Sequence, residues 1–96
     1  MNTIDATFGS LSAQFKIFNV VGFVTIHPEM IKVPGGISPT GRYHVHCIHP
    51  FNGNCMFVIE QDEKATWVCE SHPDFISMCF ISWLGEQVVA GTWSGQ

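Results

Sequence analysis

The sequence predicts an all-β fold, an antiparallel meander of about six strands closed into a small barrel or sandwich. Three observations carry that expectation. Strand formers prevail: Ile, Val, Thr, Phe, Trp and Tyr far outnumber the good helix formers, and Leu occurs only at Leu11 and Leu84. The apolar runs are short and divided by Pro, Gly, Asn and Asp, so consecutive runs are expected to be antiparallel neighbours joined by tight turns. Finally, residues 43–60 place two apolar runs around Pro50-Phe51-Asn52-Gly53-Asn54, which reads as a hairpin.

Taken in order, residues 1–13 lack a clear period and read as an irregular arm able to add an edge strand. Residues 14–27 are β-branched and aromatic and read as one long strand, with a bulge or bend at Gly22 and an end at Pro28. Residues 29–41 carry Pro34, Pro39, Gly35, Gly36 and Gly41, the composition of a long loop. The meander follows: a strand over 43–49, a turn over 50–54, a strand over 55–60, a polar turn over 61–64 and a strand over 65–70.

The last segment has two readings. Gly85-Glu86 suits a two-residue hairpin turn with Gly first, so residues 75–93 are expected to form a strand pair. The alternative is an α+β fold, an antiparallel sheet with one C-terminal helix starting near Pro73, with Ser71 as N-cap and Asp74 in the first turn. The run Phe75-Ile76-Ser77-Met78-Cys79-Phe80-Ile81-Ser82-Trp83 is apolar nearly all round a helical wheel, so periodicity does not separate the two.

The chain's 96 residues are expected to make one domain. Hydrophobic residues are 46% of the chain and charged ones 12%, against about 25% charged in an average domain, so a homo-oligomer, most simply a dimer, is expected. The formal charge of −4, with Lys16, Lys32, Arg42 and Lys64 scattered, leaves no basic patch for nucleic acid or an anionic membrane. No apolar run approaches the ~20 residues of a spanning helix, and the first residues lack a basic, apolar leader, so the expected location is the cytoplasm. Cys47, Cys55, Cys69 and Cys79 each lie in an apolar run without a Cys-x-x-Cys spacing, and read as buried free thiols.

Three of the five histidines fall in residues 43–49. Closing the hairpin with 50–54 as its loop sets His49 opposite Cys55, His46 opposite Val58 and His44 opposite Glu60. Because strand neighbours alternate, His44, His46 and Glu60 then share a face, while His49 points to the other. Two imidazoles two residues apart with a carboxylate across the hairpin have the composition of a 2-His-1-carboxylate site for a divalent metal, the basis of a mononuclear metalloenzyme. The same face is expected to hold Ile48, Met56, Val58, Trp67, Cys69, Met78 and Trp93 and to form the interior. Trp67, Met78 and Trp93 are thus the candidate lining of an apolar pocket for a small molecule. A small oligomeric ligand-binding or protein-interaction β-domain is the leading functional expectation and the His44, His46, Glu60 metalloenzyme its rival. No serine or cysteine sits in a nucleophile motif.

Overall fold

The computed structural model describes residues 9–91. Five antiparallel strands lie in sequence order: β1 Leu11–Ile17, β2 Val20–Val33, β3 Gly36–His49, β4 Gly53–Gln61 and β5 Trp67–Val68. They curl towards a half-barrel, and one helix, α1 Met78–Ala90, covers the concave side. The chain therefore takes the α+β alternative: residues 78–90 are helix, and the strand pair expected over 75–93 does not form.

Two connections differ from the sequence expectation. Residues 14–27 are not one strand, because the chain reverses at Phe18-Asn19, which adopt φ of 51° and 67°. Left-handed backbone at both central residues is the type I′ geometry that matches strand twist. Asn tolerates it readily, but a β-favouring Phe hides it from view. Gly22 accordingly makes no bulge. It faces Phe15 across the β1–β2 ladder, and a Cβ there would overlap the Phe15 ring. Residues 29–41 are also not a loop, since β2 and β3 continue as a paired ribbon to Val33↔Gly36, closed by Pro34 and by Gly35 at φ 93°. The real irregularity is a bulge where Glu29 stands against Thr40-Gly41-Arg42, with Gly41 at φ 91°.

Alternation sorts the strands into two faces. Leu11, Val24, Ile26, Val45, Cys47, Phe57 and Ile59 point inward and are buried, whereas Phe23, Ile48 and Met56 point outward and are exposed. The interior is thus the face opposite to the expected one. α1 closes it with Ile81, Leu84, Gly85 and Val88, an i, i+3, i+4, i+7 stripe. Gly85 is needed for the close approach, since the Trp67 indole lies where its Cβ would be. The helix begins at Ser77, whose hydroxyl accepts from the Phe80 N–H at 3.1 Å, six residues beyond the expected cap. Residues 73–76 form a turn instead, closed by the Ile76 N–H on the Pro73 carbonyl at 3.0 Å.

Candidate functional site

The β3–β4 register is shifted by two residues from the expected one: His49 faces Gly53, His46 faces Met56 and His44 faces Val58. An even shift preserves the faces, so His44, His46 and Glu60 do share the outer face. It does not bring them together. Glu60 is drawn to Arg42 at 3.9 Å, and His44 Nε2 lies 3.2 Å from Glu29 Oε2 in the bulge. The Glu29 carboxyl is held below its ordinary range chiefly by the Thr40 hydroxyl, which donates to it at 2.8 Å, then by His44, with Arg42 adding charge attraction. Among the described residues no group of three or more His, Cys, Asp or Glu side chains is placed to hold a metal ion. The directly opposed pair His27↔His44, on that same outer face, was invisible while 29–41 read as a loop.

Trp67, Met78 and Trp93 are not brought together either. At the Asp62 turn the register moves by an odd step, pairing Gln61 with Trp67, and Trp67 crosses to the inner face. There it sits 5.9 Å from the Tyr43 ring, ring centre to ring centre. The step is fixed by Asp62, whose carboxylate accepts from the N–H groups of Lys64 at 2.8 Å and Thr66 at 2.9 Å. Met78 stands exposed at the first turn of α1, and Trp93 lies outside the described residues.

The apolar recess lies elsewhere, where the end of β1, the end of β3 and the start of α1 converge. It is a cleft of about 400 Å³ lined by Phe15, Lys16, Ile17, His49, Phe75, Ile76, Ser77, Cys79, Phe80 and Trp83. Aromatic rings form its walls. Phe15 meets Phe80 edge-on at 4.8 Å between ring centres, Phe80 stacks on Trp83 at 5.5 Å, and His49 meets Phe75 edge-on at 4.9 Å. Such pairs prefer offset or perpendicular arrangements, so the walls are mutually braced.

His49 is the buried polar residue of this wall, 8% exposed. Its Nδ1 accepts from the backbone N–H groups of Phe51 at 3.1 Å and Asn52 at 3.2 Å, tying the imidazole to the β3–β4 turn. A nitrogen that accepts two N–H groups carries the lone pair, so the ring hydrogen is on Nε2. Nε2 points away from that turn and has no hydrogen-bond partner among the described residues. His49 lies on the face opposite to His44 and His46, as alternation along the strand predicts, and that face is the buried one. The usable signal was its alternation with Val45 and Cys47, which puts it on the same side as the core.

Of the four thiols, Cys47 is buried and Cys55 and Cys69 are partly buried, whereas Cys79, expected to be buried, is exposed at the start of α1. Cys47 and Cys55 face each other across β3–β4 inside the sheet. Burial, with the neighbouring Cys55 second, pushes the Cys47 thiol up to about 12, and burial raises Cys55 and Cys69 as well. Among the described residues no helix is long and apolar enough to cross a membrane. Comparisons with protein-family models, with curated proteins and with solved structures give no match for this chain.

Proposed function

We propose that the protein is a binding module that takes a small, largely apolar molecule in the cleft between α1 and the β1–β3 end of the sheet. The observation that carries this reading is the combination of an aromatic-walled recess with a single buried donor. About 400 Å³ falls within the ~300–1,000 Å³ of ligand pockets, which are mostly apolar with a few placed polar groups. An unfilled Nε2–H on a residue 8% exposed costs stability unless something accepts from it, and a bound molecule supplies that acceptor. Indole titrated into ¹⁵N-labelled protein tests this. Shifts are expected at the Lys16, Ser77, Cys79 and Phe80 amides and should vanish in Cys79→Trp, which fills the rim from an exposed position. Shifts confined to the outer face of the sheet would refute the assignment.

A second reading, that the protein is a two-fold dimer, is favoured by the outer face. Phe23 pairs with Ile48, and His46 with Met56, to give an apolar patch in which Phe23 is 45%, Ile48 44% and Met56 73% exposed. The residues around it on that face are Gln14, Thr25, His46 and Asn54, with Lys16 at one end and Arg42 and Glu60 at the other. A second copy laid on this patch buries apolar surface and meets no opposing like charge at its centre. Sedimentation should show a dimer at tens of micromolar that Met56→Lys converts to monomer, whereas a monomeric native protein at that concentration removes this reading.

A further inference from the structure

The cleft presents hydrogen-bond donors from two independent parts of the chain and no acid in its lining, and from this we infer that its ligand is an anion with an apolar body, a small carboxylic acid bound as the carboxylate. This rests on the cleft being a ligand site, and it adds the charge and chemical class of what enters.

The first donor is His49 Nε2–H, nine-tenths buried on the wall and without a partner among the described residues. The second is the N-terminus of α1, thirteen residues long, whose Ser77 and Cys79 line the recess. Ser77 Oγ takes the Phe80 N–H, and the Ser77 carbonyl takes that of Ile81 at 3.1 Å, which leaves the Met78 and Cys79 N–H groups without hydrogen bonds among the described residues. A helix start carries roughly half a positive charge, which an acidic side chain in the first turn can offset. The first turn of α1 has none, and Asp74, the nearest acid before it, is exposed and outside the lining. Lys16 also borders the cleft, but along β1 it alternates with Phe15 and Ile17 and its side chain belongs to the outer face, so it is not one of these donors.

Each group alone has an ordinary explanation. The open N–H groups of a helix start are commonly solvated, and the edge-on Phe75 ring offers His49 a weak acceptor at best. Together they recognise the same thing. Helix N-termini bind anions through backbone N–H groups, and hydrogen bonds to an ionised acceptor are roughly twice as strong as neutral ones. A neutral acceptor would satisfy His49 but gain little from the helix start. The aromatic walls, in turn, exclude a small hydrated anion such as phosphate as the preferred occupant, because it would leave Phe15, Phe75, Phe80 and Trp83 uncovered.

The test uses two probes of nearly equal shape, 3-phenylpropanoate and its neutral amide, 3-phenylpropanamide, titrated into the full-length protein with amide shifts as the readout. The acid is expected to bind about tenfold tighter than the amide in low salt, with the largest shifts at Met78 and Cys79. Met78→Pro removes one open N–H at the first helical position, where proline is tolerated and the preceding Ser77 is already extended at ψ 164°. It should weaken the acid about threefold and leave the amide unchanged. If acid and amide bind equally at the cleft, or the acid's advantage survives Met78→Pro, the anion assignment is wrong while the ligand site stands. If neither probe shifts the cleft amides at millimolar concentration, both readings fall.

Discussion

The two faces of the sheet are built from strands of similar apolar content, yet one holds the core and the other meets solvent. Val24, Ile26, Val45, Cys47, Phe57 and Ile59 lie under α1, while Phe23, Ile48 and Met56, their immediate neighbours along the chain, do not. Hydrophobicity does not separate the two sets. The inner face also carries Ala13, Gly22, Cys47 and Cys55, small side chains that let a helix approach, and α1 answers with Gly85 against Trp67. The outer face mixes its large apolar groups with Thr25, His27, His44 and His46, whose polar atoms would go unpaired beneath a helix. Shape and polar satisfaction choose the covered side.

Truncation on each face gives the largest contrast. Ile59 is fully buried, and Ile59→Ala is expected to cost about 2–5 kcal/mol in urea unfolding. Met56→Ala, on the outer face of the same strand, should stay within about 0.5 kcal/mol when measured at concentrations where the chain is monomeric. A Met56 cost that grows with protein concentration would mean that a partner covers the outer face, which is the dimer reading. A cost of several kcal/mol independent of concentration would break the division into core and solvent faces.

The inner thiols give the next contrast, because burial acts on only one side of the sheet. Cys47 is pushed up to about 12 from an ordinary 9.0, so between those values the unfolded chain loses a proton that the folded chain keeps. Stability is then fully present below pH 9 and declines as pH rises towards 12, with a limiting slope of about 1.4 kcal/mol per pH unit. Cys55 and Cys69, raised by the same cause, act in the same direction. Urea midpoints at pH 8 and 10.5 should fall more steeply for the native chain than for Cys47→Ala, which isolates this thiol from tyrosine and lysine titration. Equal slopes would show that Cys47 is open to water.

The contrast also explains what could be read from the chain. The antiparallel meander over 43–61 followed from alternation and from the turn at 50–54, and a register error of two residues did no harm to the faces. At Asp62 the error was odd, and it sent Trp67 and Cys69 to the wrong side. That turn is set by side-chain hydrogen bonds from Asp62 that loop length alone does not reveal. The helix was masked for a different reason. Its stripe Ile81, Leu84, Gly85, Val88 was divided by treating Gly85-Glu86 as a hairpin turn, while the glycine is there for contact with Trp67. The cleft was not legible, because Phe15, His49 and Phe80 come from β1, β3 and α1 and meet only once the register and the helix are both known.

The smallest expected effect belongs to the outer face, at the bulge. Glu29 receives the Thr40 hydroxyl at 2.8 Å, lies 3.2 Å from His44 Nε2 and pairs with Arg42 at 3.6 Å, and these partners hold its carboxyl below the ordinary 4.5. A carboxyl depressed on folding contributes stability that is complete above its unfolded value and is lost as pH falls through the folded one. The Glu29 side chain is 27% exposed and its partners Arg42 and His44 are 45% and 48% exposed, so water screens the pairing, the contribution is small, and Glu29→Gln should lower stability at pH 6 by less than about 1 kcal/mol. As pH falls from 6 through the lowered folded value the two proteins should converge, because protonation removes the native carboxylate's charge. The comparison with Cys47 is then complete: both ionisable groups are shifted by folding, one upward by exclusion from water and one downward by its partners. A Glu29→Gln cost that stayed undiminished throughout the acid range in which the protein remains folded would assign the effect to the Thr40 hydrogen bond and the bulge geometry, with no contribution from charge.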